Sequence, residues 1–264
     1  MLKLQNLQVT FGRGTALETC ALRNLSLTID EGQFVTVIGT NGAGKSTLLN
    51  AISGDLSIDS GSIVIDGLDV TKKTMHQRAK NVARVFQDPL AGTCEDLTIE
   101  ENLSLAMRRG HKHGLGLAVV KSSRDLFRAQ LASLNLRLEN RLTDRIGLLS
   151  GGQRQAVSLL MAALQPSQIL LLDEHTAALD PRTAEFVLNL TQKIVQEKKL
   201  TSLMVTHSMR QALDVGNRII MLHHGQVVLD VAGDARQNLT VNDLLEMFAK
   251  VCGEQVEDDA LLLG

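Results

Sequence analysis

Gly39-Thr40-Asn41-Gly42-Ala43-Gly44-Lys45-Ser46-Thr47 is the stretch on which the fold turns. The apolar run Phe34-Val35-Thr36-Val37-Ile38 leads into it, and Thr47-Leu48-Leu49-Asn50-Ala51-Ile52, which reads as a helix, leads away. Strand, glycine-rich turn and helix in that order are the context of a phosphate-binding loop. Gly39, Gly42 and Gly44 leave room for backbone N–H groups to point inward at phosphate oxygens, and the helix starting near Gly44 adds its positive dipole end. Lys45 is then expected to reach the β- and γ-phosphates of a nucleotide and the Ser46 hydroxyl to ligate Mg²⁺.

Outward from the loop, composition sets the limits. The chain has 264 residues, 44% of them hydrophobic, enough for a sizeable buried core. A net charge of −2 argues against a general nucleic-acid binder, and no nucleic-acid partner is expected. No apolar run approaches the ~20 residues of a membrane span; those around 159–164 and 169–172 are interrupted by Gln165, Pro166 and Asp173. Met1-Leu2-Lys3-Leu4-Gln5-Asn6-Leu7 alternates like a strand and lacks the apolar core of a signal peptide, so the chain is expected in the cytosol. Cys20, Cys94 and Cys252 are scattered and lack metal-ligand spacing, and read as reduced, mostly structural thiols.

Up to about Asp69 the pattern is strand-rich, with strands expected at 2–10, 25–29, 34–38 and 63–65. From Thr98 to about Leu164 helical periods dominate, opening with a capping box between Thr98 and Glu101. In the amphipathic stretch 117–136, Leu126, Phe127, Leu131 and Leu134 are expected in the core. After Pro166 strands at 169–172, 203–206 and 218–222 alternate with helices at 184–196 and 209–215, the signature of a parallel sheet covered by helices. The stretch 219–229 reads as a hairpin, 240–250 as a capped helix, and Gly253 to Asp259 as a solvated acidic tail.

The strand Leu170-Leu171-Leu172 ends in Asp173-Glu174. A parallel strand delivers such carboxylates at its C-terminal edge, where ligands bind in open α/β sheets. Asp173 is read as part of a Mg²⁺ shell and Glu174 as the group that orients or deprotonates an attacking water.

Leu149-Ser150-Gly151-Gly152-Gln153, just ahead of a helix, resembles the signature motif of the ATP-binding cassette (ABC) ATPases, and the resemblance extends over nearly the whole chain. It implies an α/β fold: a P-loop NTPase core with a mainly parallel sheet, an N-terminal antiparallel β subdomain and a helical insert. The core would comprise 1–87 and 166–264, and the insert 88–165. Phe11 stands where the family places an adenine-stacking aromatic, with Phe in place of the more usual Tyr. Gln87, in Arg84-Val85-Phe86-Gln87-Asp88-Pro89, matches the glutamine that senses γ-phosphate and Mg²⁺. Ala178-Leu179-Asp180 matches the loop that crosses the dimer interface, and His207 the switch histidine that contacts γ-phosphate and water. Glu174, His207, Lys45 and Gln87 are thus the expected catalytic set, and Ser46, Gln87 and Asp173 the expected metal set. His175 departs from the small residue or proline common there and receives no catalytic role. His76, His111, His113, His223 and His224 are read as solvated loop or helix residues.

Ser150 and the N–H groups of Gly151 and Gly152, at a helix N-terminus, form an anion site. The resemblance implies that this site, with Gln153, binds the ATP held by a partner. Two copies, or one copy and a sister subunit, would close head to tail over two ATP molecules, and hydrolysis would release them. It further implies coupling to a separate transmembrane permease at the cytoplasmic face of the inner membrane. The run 173–181 looks similar to cassettes of importers linked to a solute-binding protein, with an amino acid or related small solute as first cargo. A repair-type ABC ATPase would need a long coiled-coil insert, and a translation-type one a second cassette; neither is present. A nucleotide-dependent regulator without turnover would have no use for Glu174 and His207. An unrelated P-loop kinase would have none for the signature.

Overall fold

The computed structural model describes residues 1–111 and 119–252. His113, the start of the 117–136 stretch and the acidic tail lie outside the described residues. In chain order the first elements are β1 (Leu2–Phe11), β2 (Thr19–Ile29), β3 (Phe34–Ile38), α1 (Lys45–Ser53), β4 (Ser60–Ile65), β5 (Leu68–Asp69) and α2 (Met75–Arg78). There follow β6 (Val82–Val85), α3 (Ile99–Met107), α4 (Lys121–Ala132), α5 (Gly151–Leu164), β7 (Ile169–Asp173) and α6 (Pro181–Lys198). The chain closes with β8 (Thr201–Val205), α7 (Met209–Asp214), β9 (Arg218–His223), β10 (Gln226–Ala232), α8 (Asp234–Gln237) and α9 (Val241–Cys252). This is an α/β fold made of two compact units: one is Met1–Arg78 with the chain from Lys199 onward, the other Ala79–Lys198.

The first unit contains an antiparallel sheet in the order β2-β1-β4-β5. Its strands bury one face, as β1 shows with Leu2, Leu4, Leu7 and Val9 inside. Register shifts flank Leu7 in β1, and Asn6 and Asn24, at φ 48° and 47°, supply the left-handed backbone that such bulges use. In the same unit β3 runs parallel to both β8 and β9, and β10 returns antiparallel along β9. Every residue of β3 and β8 is buried, as a parallel strand covered on both faces requires. Helices α7 and α9 cover this sheet through Met209, Ala212, Leu244 and Phe248, packed with Ile38, Ile219 and Met221. Thr240 and Asp243 form the reciprocal N-terminal cap of α9.

The second unit pairs β6 with β7 in parallel and surrounds them with α3 to α6. The expected Thr98–Glu101 box is present at the start of α3. Phe127, Leu131 and Leu134 are buried, but Leu126 is 44% exposed, a correction. The first three lie at i, i+4 and i+7 on one stripe, and a residue beside Phe127 is rotated ~100° away from it. Strand β6 has no counterpart in the sequence reading; it is four residues long and carries Arg84 in its middle. Strand β2 likewise begins at Thr19, well before the expected 25, because Thr19, Cys20 and Leu22 pair with Phe11, Thr10 and Val9. No helix among the described residues is long and apolar enough to cross a membrane.

Candidate nucleotide site

In the first unit, β3 ends in the glycine loop and α1 starts at Lys45. Gly39, Gly42 and Gly44 have φ of 152°, 77° and 101°. At two of them glycine is also a steric necessity. A Cβ on Gly39 would stand 2.3 Å from the Leu222 carbonyl oxygen, and one on Gly44 2.5 Å from that of Ala21. Strands β9 and β2 therefore press directly on the loop, and the Gly225 N–H donates to the Ala43 carbonyl at 3.0 Å. Lys45 is nearly buried, its Nζ donating to the Gly39 and Thr40 carbonyls at 2.7 and 3.0 Å. The ammonium is thereby held against its own loop.

Two other expected residues leave the same unit close by. Strand β8 lies beside β3, with Val205 opposite Val37, so His207 emerges at the C-terminal edge where β3 enters the loop. Its neighbours are fixed: Ser208 caps α7, and the Thr206 hydroxyl joins Gln211 at 2.9 Å. Phe11, at the end of β1, is 45% exposed and pairs with Thr19, two residues from the Ala21 that backs Gly44. An aromatic that exposed has a face available for stacking.

In the second unit β6 and β7 run parallel with Val85 opposite Leu172, so Gln87 and Asp173-Glu174 leave one sheet edge together. The side-chain amide of Gln155 on α5 donates to the Phe86 carbonyl at 3.0 Å, fixing the backbone just ahead of Gln87. Arg84 reaches along the pair to Asp173, Nη2 to Oδ2 at 2.6 Å, with its guanidinium 4.8 Å from the Phe86 ring centre. The sequence reading gave Arg84 no role. A charged residue within Val82-Ala83-Arg84-Val85 is the signal, because a guanidinium in a buried strand needs a partner. Glu174 follows at φ 44°.

Ser150 caps α5, accepting from the Gln153 N–H at 3.3 Å while its own N–H donates to the Gln153 side chain at 3.2 Å. The free N–H end of this 14-residue helix is exposed at Ser150 and Gly151. A Cβ on Gly152 would stand 2.1 Å from Cγ2 of Thr183, so the signature lies flat against the start of α6. There Asp180 accepts from the Thr183 N–H at 3.1 Å and Pro181 opens the helix. Hydrogen bonding to Thr183 holds the Asp180 carboxyl below its ordinary range.

The other histidines divide. His76, His111 and His224 are exposed. His223, expected to be solvated, instead lies half-buried in β9 against Phe248, and burial followed by the neighbouring His224 lowers its pKa. His175 is 1% exposed, and burial pushes it down to about 4, so its ring is neutral at pH 7. Cys20 and Cys94 are free thiols, Cys94 an exposed one.

The family described as "ABC transporter" matches residues 22–177, more than half of the chain. A tyrosine transport ATP-binding protein of Clostridioides difficile (strain R20291) is 46% identical over 248 residues, 94% of this chain and 98% of that protein. The phosphonates import ATP-binding protein PhnC of Shouchella clausii is 34% identical, over 99% of this chain and 95% of its own length. Among solved structures, the dimeric post-hydrolysis state of the ATP-binding cassette MJ0796 bound to ADP and Pi superposes with a TM-score of 0.75 at 30% identity, over 88% of this chain and 98% of that one. The chain therefore belongs to the ABC transporter family, as one of its ATP-binding and ATP-hydrolysing subunits.

Proposed function

We propose that two such chains, or one and a sister subunit, close head to tail over two ATP molecules and drive a separate transmembrane permease that imports a small solute, an amino acid first among candidates. The observation that carries the dimer is the exposed, capped N-terminus of α5 at Ser150-Gly151-Gly152, an anion site in a unit whose described residues hold no phosphate-binding loop. The dimeric MJ0796 cassette supports it. The 46% identity to a tyrosine transport subunit supports an amino-acid cargo. A solute-binding protein delivering that cargo, and residence on the cytoplasmic face of the inner membrane, complete the proposal.

Within this reading Phe11 stacks adenine, while Gly39 to Thr47 and Lys45 grip the phosphates. Glu174 takes the proton of the attacking water, and His207 and Gln87 meet the γ-phosphate side of that water. Asp180 and Leu179 lie on the segment that meets the partner, and residues 88–165 form the inserted signature subdomain on the 1–87 and 166–264 core. Ser46, Gln87 and Asp173 offer only oxygen donors, and no cluster of three or more His, Cys, Asp or Glu among the described residues could hold a metal. That is the donor set of Mg²⁺, which binds through one or two carboxylates plus substrate phosphates. When bound, the ion would neutralise charge on the β- and γ-phosphate oxygens.

Affinity purification of a tagged Glu174→Gln chain with ATP from detergent-solubilised native membranes tests the transport role. A multi-span permease in the complex is expected. Recovery of ribosomes or nucleic acid instead would overturn it.

A further inference from the structure

The residue after Glu174 is the one buried histidine among the described residues, and the nucleotide chemistry above makes no use of it. His175 Nε2 lies 2.9 Å from Oγ1 of Thr191, halfway along α6 and fully buried. That hydroxyl already donates its proton to the Val187 carbonyl at 2.8 Å. A hydroxyl has one proton, so it can only accept from the ring, and Nε2 carries the hydrogen.

The turn this bond holds is a strained one. Glu174 sits at φ 44°, a region that is unfavourable for a residue with a Cβ and persists only where the surroundings impose it. Locally the Ala177 N–H donates to the Glu174 carbonyl at 2.9 Å and the Leu179 N–H to that of Thr176 at 3.2 Å. These close the turn on itself. The imidazole ties it to α6, reaching from the residue after Glu174 across to the helix that begins at Pro181. From the other side, the Arg84–Asp173 ion pair holds the preceding residue to β6.

We infer that His175 is a positioning residue: its hydrogen bond to Thr191 pins the turn that aims the Glu174 carboxylate, and with it the segment running to Asp180, against α6. The inference rests on the proposed assignment of Glu174 as the group that activates water. A proline or small residue at this position could fill the backbone but could not span to Thr191.

Steady-state ATP hydrolysis by His175→Ala, His175→Gln, Thr191→Val, Thr191→Ser and Glu174→Gln tests it. Loosening the turn by a fraction of an ångström to an ångström is expected to lower kcat in His175→Ala and Thr191→Val by about 10- to 100-fold. The KM for ATP stays at the parental value, because ATP is gripped by the glycine loop of the other unit. His175→Gln, which keeps an N–H donor at similar reach, and Thr191→Ser, which keeps the hydroxyl, recover most of the rate. The double variant His175→Ala/Thr191→Val is no slower than either single one, as one shared bond demands. If His175→Ala fails to fold, Thr191→Val, nearly the same shape as the parent, carries the test. Parental kcat in Thr191→Val and His175→Ala beside an inactive Glu174→Gln would overturn the positioning role alone. Parental kcat in Glu174→Gln would overturn the assignment of Glu174 and this inference with it.

Discussion

Arg84 and Asp173 stand one strand apart and are joined at 2.6 Å, both side chains less than a sixth exposed. The carboxylate that ends the apolar strand β7 is therefore neutralised from within its own unit by a guanidinium that also lies over Phe86. Removing one partner of a largely buried pair leaves the other desolvated and uncompensated, which costs more than the pair contributes. Arg84→Met is expected to lose about 2–3 kcal/mol of stability by urea unfolding. Arg84→Lys, which keeps the charge without the planar fork, is expected to lose less.

Lys45 is ordered by its own loop through the Gly39 and Thr40 carbonyls. Replacement by Ala removes the preset ammonium and, with it, the contacts to phosphate proposed for Lys45. Charge-assisted hydrogen bonds contribute about 1.5–3 kcal/mol, so ATP affinity is expected to fall by about 10- to 100-fold. Calorimetric titration with a non-hydrolysable ATP analogue measures it, and unchanged affinity would remove Lys45 from the site.

Gly152→Ala places a methyl 2.1 Å from Thr183 Cγ2 at the junction of α5 and α6. Overpacking of that kind costs about 1–3 kcal/mol. Thr183→Ser deletes the clashing methyl and keeps the hydroxyl, so the double variant is expected to regain most of the lost melting temperature. A double variant as unstable as Gly152→Ala would place the strain elsewhere.

Thr98 caps α3, its hydroxyl and N–H both 2.7 Å from one Glu101 oxygen. Thr98→Ala is expected to cost about 1 kcal/mol. The Thr98 hydroxyl, and then its N–H, lower the Glu101 pKa from 4.5. A carboxylate depressed by folding contributes stability that is present above its unfolded pKa and lost as pH falls through its folded one. The gap between the acid unfolding curves of parent and Thr98→Ala should therefore narrow as pH falls below 4.5, leaving the share that the hydroxyl contributes by accepting from the Glu101 N–H.

The glycine loop was legible because its chemistry is local: flanking strand, glycines and helix start are contiguous, and the structure places them as read. The Thr98 and Thr240 caps were legible for the same reason. What escaped depends on partners distant in the chain. Strand β6 exists by pairing with β7, with Arg84 opposite Leu171, and four residues carrying a charge show no period of their own. His175 is buried beside Thr191, sixteen residues on, and nothing in Glu174-His175-Thr176 announces that neighbour. Leu126 was misplaced because an apolar run shows that a stripe exists before it shows which neighbours belong to it.

In the proposed mechanism Glu174 activates water in an ATP-bridged pair of chains. Light scattering and ATP hydrolysis, measured on purified Glu174→Gln with Mg²⁺ and ATP, decide the matter. Loss of hydrolysis with a doubling of molar mass that ADP does not produce is the result expected. A monomer under all conditions, or turnover at the parental rate, would contradict it.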